Sequence, residues 1–316
     1  MSDGADAIVV LCGGVGAARF LDGLVRVVDP ASVTAIVNVA DDAEFHGLHV
    51  SPDIDTVLYT LAGLVDAERG WGIRGDTFRG LAALERYRRD TWFLLGDEDL
   101  ATHIRRTELL RSGMPLSAVT DELRRALGIG ARIVPATDAR QSTRVRTPDG
   151  WLAFQEYFVR RRAADIVLEV RIDGGGMAAV GVLEAVESAA VVIVAPSNPI
   201  VSIGPILEVE GFREALRRRA RPVVAVTPIV RGAAIKGPAA EMLRGLGHDV
   251  SAVGVARLYA DFLDVMVLDE RDADLAALVA KTGIRPVLAQ TIMRDADAKE
   301  GLARAVLAAA SWRGAR

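Results

Sequence analysis

Residues 7–25 read AIVVLCGGVGAARFLDGLV. The first five are apolar and rich in valine and isoleucine, and an unbroken apolar run of this length is how a strand buried on both faces reads. Cys12 follows, then glycines at 13, 14 and 16, and then Ala17, Phe20, Leu21, Leu24 and Val28 at helical spacing. The segment therefore predicts strand, glycine turn and helix, the opening unit of a Rossmann-like sheet. Glycines in such a turn allow close backbone approach, so free N–H groups and the positive helix end can receive a phosphate. The turn is not a strict dinucleotide fingerprint, because Arg19 stands where the third small residue of G-x-G-x-x-G belongs. It lacks the G-K-[ST] ending of a P-loop. A tight turn without a ligand is the plainer alternative.

The same apolar pattern recurs at residues 33–39, 191–195 and 222–226. Helical periods near 211–219, 238–246, 272–281 and 296–312 alternate with it, as in a mostly parallel α/β sheet flanked by helices. Residues 97–127 read as consecutive helices with no strand-like run, so 96–130 is expected to be a small helical insertion between core segments 1–95 and 131–316. Residues 143–147 and 151–159 flank Pro148-Asp149-Gly150, a hairpin signal that predicts added antiparallel strands.

The composition of the 316 residues, 51% hydrophobic and 25% charged, is that of a soluble globular protein. With 38 basic against 42 acidic side chains the net charge is -4, which gives no electrostatic reason to expect a nucleic-acid or membrane partner. Cys12 is the sole cysteine, which excludes an intrachain disulfide and a cysteine-clustered metal site. The first residues carry Asp3 and Asp6 instead of a basic leader, and the apolar runs are too short to span a bilayer. A cytoplasmic location is expected.

Chemistry concentrates in four places. After the glycine turn comes the stretch Asn38-Val39-Ala40-Asp41-Asp42, with His46, Asp53 and Asp55 beyond it. Four aspartates at the carboxyl end of a core strand repel unless a divalent cation sits among them, and Mg2+ takes one or two carboxylates together with substrate phosphates. Helix capping by Ser51 or Asp53 would explain the same acids without a metal. Ser197-Asn198-Pro199 follows the strand at 191–195, with groups that hydrogen-bond a phosphate, ribose or base. Thr227-Pro228 and Lys236-Gly237-Pro238 follow the next strand, and Lys236 is one of only three lysines. The histidines show no H-E-x-x-H spacing and no G-x-S-x-G is present, so neither a zinc hydrolase nor a serine-hydrolase elbow is supported.

Together these stretches resemble the 2-phospho-L-lactate transferase family, whose actinobacterial members act as phosphoenolpyruvate transferases in coenzyme F-420 biosynthesis. The matching segments are CGGVGAARFLDGL (12–24), NVADDAEFHGLHVSPDIDTVLYTLAG (38–63), GWGIRGDTF (70–78), LGDEDLATHIRRTELLRSGMPLSAVT (95–120), FQEYFV (154–159), APSNPIVSIGPIL (195–207) and KGPA (236–239). Glu98 stands where the family often has arginine, and Ala233 where it often has a second glycine.

The resemblance implies a Mg2+-dependent transfer from a guanosine diphosphate derivative of a three-carbon acid, enolpyruvyl or lactyl. The acceptor would be the deazaflavin Fo (7,8-didemethyl-8-hydroxy-5-deazariboflavin), and GMP would leave. Residue by residue it implies donor phosphates at Gly13, Gly14, Gly16 and Lys236, Mg2+ on Asp41 and Asp53, and guanosine toward Ser197, Asn198 and Thr227. Fo contacts fall on Asp42, His46, Asp76 and Thr77, with Asp41 or Asp42 as base and Asp41, Asp42 and Asp53 as the catalytic acids. A homodimer is the default expectation. Two rivals stand beside it. One is a nonenzymatic nucleotide-sugar-binding regulator of the same fold, which the sequence AEFHGLH at 43–49 disfavours. The other is an NAD(P)-dependent oxidoreductase, which Arg19 disfavours.

Overall fold

The computed structural model describes residues 6–312. Residues 1–5, with the acidic start at Asp3, and 313–316 at the end of the expected core lie outside the described residues.

Seven strands form one sheet in the order Arg285–Ala289, Val265–Asp269, Val223–Val226, Val191–Val194, Ile8–Cys12, Val33–Val37, Arg132–Pro135, and every pairing is parallel. From Ile8–Cys12 the chain steps outward twice on one side, then returns at Val191–Val194 to build the other side. The strand order therefore reverses between Ile8–Cys12 and Val191–Val194, and open α/β sheets bind ligands outside the strand carboxyl ends at such a switch point.

The apolar runs are continuous because both sheet faces are covered. In the first strand Ile8, Val10 and Cys12 pack with helices Gly14–Val27, Pro52–Leu61, Leu116–Ala126 and Ala296–Ala309. Val9 and Leu11 point the other way, into a layer with Val182–Ser188, Phe212–Arg218, Ala239–Gly245 and Ala252–Leu258. Successive side chains of a strand alternate faces, so one run feeds both layers. Leu21 and Leu24 of the first helix are fully buried, and each contributes about 1.5–3 kcal/mol by leaving water.

The expected antiparallel addition is a three-stranded sheet in which Gln141–Thr147 pairs with Gly150–Ala153 on one edge and Glu169–Gly174 on the other. The expected strand at 151–159 is corrected in its second half, because Glu156–Arg160 is a helical turn. Phe154 and Phe158 stack at 5.5 Å. A spacing of four suits a helix as well as an apolar run suits a strand, and short runs do not separate the two. Residues 97–127 form helices Asp99–Arg111 and Leu116–Ala126.

Candidate active site

At the switch point the glycine turn and the 196–198 loop lock together. The Ser197 hydroxyl donates to the Gly13 carbonyl at 2.9 Å and accepts from the Gly13 N–H at 3.3 Å. A side chain on Gly16 would collide with the Pro196 carbonyl, so only glycine permits this approach. A cavity of about 560 Å³ opens over the junction, lined by ends of both halves of the sheet.

The acidic pair stands against the glycine turn. Asn38, at the end of the Val33–Val37 strand, donates through one amide nitrogen to Asp53 Oδ2 at 2.9 Å, to Asp41 Oδ2 at 3.2 Å and to the Val201 carbonyl at 3.3 Å. Its oxygen accepts from the Ala40 N–H at 2.9 Å, which fixes the amide's orientation. A Cβ on Gly13 would sit 2.6 Å from Asp53 Oδ2, so that glycine makes room for the carboxylate. Asp41 and Asp53 are 6% and 8% exposed, and the Asp41 Oδ1 atom is buried without a hydrogen-bond partner. Burial pushes Asp53 up to about 6 against the pull of the Asn38 amide. Burial and then Asp53 push Asp41 well above the ordinary range. Two desolvated carboxylates held together by a neutral amide, one with an orphan oxygen, fit a hard divalent cation. Among the described residues no set of three or more His, Cys, Asp or Glu side chains gathers for a metal, so the protein offers two carboxylates only.

A second cluster adjoins the first. Asp55 receives fully buried Arg106 in a bidentate pair, with Nη1 3.1 Å from Oδ2. His103 Nε2 lies 3.1 Å from Asp99 Oδ1, and the Tyr59 hydroxyl donates to that oxygen at 2.5 Å. The cluster ties helix Pro52–Leu61 to helix Asp99–Arg111.

Aromatic side chains form another part of the cavity wall: Trp71, Trp92, Phe93, Phe154 and Phe158. Phe45 stacks on Phe93 at 4.0 Å and meets Trp92 edge-on at 5.5 Å. Gln155 donates to the Asp41 carbonyl at 3.2 Å, which joins this wall to the acids. Flat apolar faces beside a polar centre suit a planar ring system. Lys236, Arg69 and Arg19 supply positive charge on the same cavity, and the Lys236 ammonium donates to the Arg69 carbonyl at 2.7 Å. Burial and then Arg19 pull the Lys236 pKa down.

Of the residues singled out from sequence, Gly13, Gly14, Gly16, Asp41, Asp53, Ser197, Asn198, Thr227 and Lys236 share the cavity wall. Asn198 caps the next helical turn, accepting from the Ile200 N–H at 2.9 Å, while its amide nitrogen has only the Met242 sulfur at 3.5 Å. Thr227 closes its own turn, its hydroxyl accepting from the Ile229 N–H at 3.2 Å. Four residues are not on the wall. Asp42 accepts from Ser51 at 2.7 Å and sits 3.0 Å from His49 Nε2. His46 occupies the turn of the Ala43–Phe45/Leu48–Val50 hairpin with φ 54°. Asp76 accepts from the Glu98 and Asp99 N–H groups at 2.9 and 3.0 Å, ahead of the helix Asp99–Arg111, and Thr77 hydrogen-bonds Asp97. Sequence reasoning missed Asn38 as the clamp, though it heads the quoted acidic stretch, and it missed the aromatic wall, whose members are scattered along the chain.

Residues 8–308 match the family model described as 2-phospho-L-lactate transferase CofD. The chain is 44% identical to a phosphoenolpyruvate transferase of Streptomyces griseus over 308 residues, covering 95% of this chain and 97% of the relative. It is 41% identical to a 2-phospho-L-lactate transferase of Methanothermobacter thermautotrophicus over 300 residues, covering 95% and 97%. A solved structure of a UPF0052-family protein from Bacillus halodurans shares the fold, with a TM-score of 0.65 at 17% identity over 96% of this chain and 98% of that one. The family match over residues 8–308 and the identity to these relatives over nearly their whole length place this chain in the 2-phospho-L-lactate transferase (CofD) family, and it is a transferase enzyme.

Proposed function

We propose that the protein transfers the three-carbon phosphoryl moiety of enolpyruvyl-diphospho-5'-guanosine, or of its lactyl counterpart, to the ribityl hydroxyl of Fo in coenzyme F-420 biosynthesis. It works as a cytoplasmic homodimer, and Mg2+ is its cofactor. The observation that carries the reading is the Asp41–Asp53 pair, buried and clamped by Asn38 beside the glycine turn. The relatives at 43–44% identity from Streptomyces and Nocardia, named phosphoenolpyruvate transferases, favour the enolpyruvyl donor.

Asp41 and Asp53 would hold Mg2+, which when bound supplies charge neutralisation at the transferring phosphoryl group. The Gly13, Gly14 and Gly16 turn and Lys236 orient the donor phosphates, and Ser197, Asn198 and Thr227 border the guanosine. Fo lies on the aromatic wall. Asp42, His46, Asp76 and Thr77 support it from behind by fixing the hairpin and the 70–78 segment. The ribityl oxygen attacks the phosphorus nearer the three-carbon acid, the bond from that phosphorus to the bridging oxygen breaks, and GMP departs with that oxygen. The hydroxyl proton passes to a carboxylate of the Asp41-Asp42 pair, of which Asp41 faces the cavity. No covalent nucleophile is required, because in-line phosphoryl transfer needs positioning and charge stabilisation above all.

The test incubates the protein with Fo, Mg2+ and each guanylylated donor, and follows GMP release and the mass of the deazaflavin product. Product with the enolpyruvyl donor supports the reading in full, and product with only the lactyl donor moves the chain to the other branch. No product with either, beside tight binding of a nucleotide sugar, overturns it in favour of the regulator.

A further inference from the structure

Arg19, the residue that breaks the dinucleotide fingerprint, stands on the wall of two cavities. One is the reaction cavity; the other, of about 320 Å³, lies along the first helix and shares only Val15 and Arg19 with it. The second cavity gathers Arg19, Arg26, Arg74, Arg294 and Lys299 around a single carboxylate, Asp22. Asp22 is already engaged, by Arg26 at 2.9 Å and by Lys299 at 2.7 Å. Arg19, Arg74 and Arg294 form no ion pair within the described residues, although elsewhere this chain matches arginine to acid repeatedly, as in Arg105–Glu122, Arg213–Asp261 and Arg146–Glu169. A protein with net charge -4 has acids enough to neutralise three arginines, yet Asp22 is the one carboxylate among the described residues on this wall, and it is already engaged. The wall is built on packed helices, since the Lys299 backbone approaches Gly23 so closely that a side chain there would collide with it. On the far side of Arg19 the positive charge continues, because Lys236 and Arg69 share the reaction-cavity wall with it.

Unpaired guanidiniums lining one cavity raise the local positive potential, and their planar forks match carboxylate and phosphate oxygens bidentately. We infer that the cavity behind Arg19 is a binding site for a small multivalent anion of the phosphate or carboxylate class, contiguous with the reaction cavity through Arg19. The site does not depend on the proposed reaction. Its occupant comes from one of two sources, a free anion in solution or the anionic end of a substrate that reaches past Arg19.

The probe is inorganic pyrophosphate, titrated calorimetrically into the full chain and into the Arg74→Ala/Arg294→Ala double variant. Both side chains are exposed and neither touches the reaction cavity, so the variant should keep its fold, which circular dichroism and the unfolding midpoint check. The expected result is a class of pyrophosphate sites in the wild type whose affinity falls at least tenfold in the variant, about 1.4 kcal/mol. Affinity and stoichiometry unchanged within twofold in a folded variant would overturn the inference. The source follows from transfer kinetics. A donor KM that rises at constant kcat assigns the site to the substrate's anionic end, and an unchanged KM beside lost pyrophosphate binding assigns it to a free anion. A second variant, Arg19→Gln, weakens pyrophosphate binding in either case.

Discussion

One helix, Pro52–Leu61, carries two buried aspartates two positions apart that face opposite fates. Positions i and i+2 lie on different sides of a helix, so Asp53 turns to the glycine loop and Asp55 to the helix Asp99–Arg111. Asp55 meets the fully buried Arg106, with His103, Asp99 and Tyr59 completing a hydrogen-bonded cluster that holds its own cation. Asp53 meets a second carboxylate, Asp41, and a neutral amide. Burial is nearly equal at the two sites and compensation is not. A buried charge with its partner built in belongs to the scaffold, whereas a buried charge whose partner must come from outside marks a place where a ligand contributes the missing sign.

The difference is sharpest when each cluster is broken. Replacing Arg106 by Ala strands Asp55 and should lower the unfolding free energy by about 3–5 kcal/mol, read from denaturant midpoints. A loss under 1 kcal/mol would mean that Asp55 finds another partner and that the contrast between the clusters is weaker than the geometry indicates. Replacing Asp53 by Asn should do the reverse to the metal-free protein. A carboxyl raised from 3.8 to about 6 costs the fold about 3 kcal/mol once ionised, and Asn removes that cost at pH 8 while it reduces transfer by about 10³-fold. A variant both less stable and fully active would remove Asp53 from the site.

The pH dependence separates the clusters by sign. For Asp53 the folded state binds the proton more tightly than the unfolded chain, so its contribution to metal-free stability is present at low pH and is lost as pH rises from about 4 to about 6. Asp99 works the other way. Burial alone would raise its pKa, but His103, the Tyr59 hydroxyl and the Arg106 guanidinium together outweigh burial and hold it below the ordinary value. Its contribution is present above that value and is lost as pH falls. Stability profiles of Asp53→Asn and Asp99→Asn between pH 3 and pH 8 should therefore depart from the wild type in opposite directions, and parallel departures would contradict the assignment. Smaller effects belong to the periphery. Phe158→Ala, which removes one face of the aromatic wall, should weaken Fo binding by about 1 kcal/mol in a fluorescence titration. His46→Asn keeps a residue that tolerates the positive φ of the hairpin turn and should change stability by about 0.5 kcal/mol or less.

Much of this contrast was readable in advance. Valine-rich runs at 33–39 and 191–195 announced buried parallel strands because both faces of the sheet are covered, and the glycine turn announced its junction because Gly16 must pass the Pro196 carbonyl. Asp41 and Asp53 were visible as acids at a strand's carboxyl end, but the difference between Asp53 and Asp55 was not. It depends on Arg106, fifty-one residues away on another helix. The resemblance implies Asp76 and Thr77 as Fo contacts, and the sequence of that loop does not reveal that the Asp76 carboxylate accepts from the N–H groups of Glu98 and Asp99 ahead of a helix. The aromatic wall is not legible in the sequence because Trp92, Phe93, Phe154 and Phe158 come from two distant segments brought together only by the fold.

The most direct measurement is a calorimetric Mg2+ titration at pH 8 of the wild type and of Asp53→Asn, each in the presence of GMP. The predicted result is saturable Mg2+ binding by the wild type, with an unfolding midpoint that rises as the ion is added, and neither effect in the variant. Equal Mg2+ binding and equal stabilisation in both proteins would contradict the claim that the Asp41–Asp53 pair is the cation site.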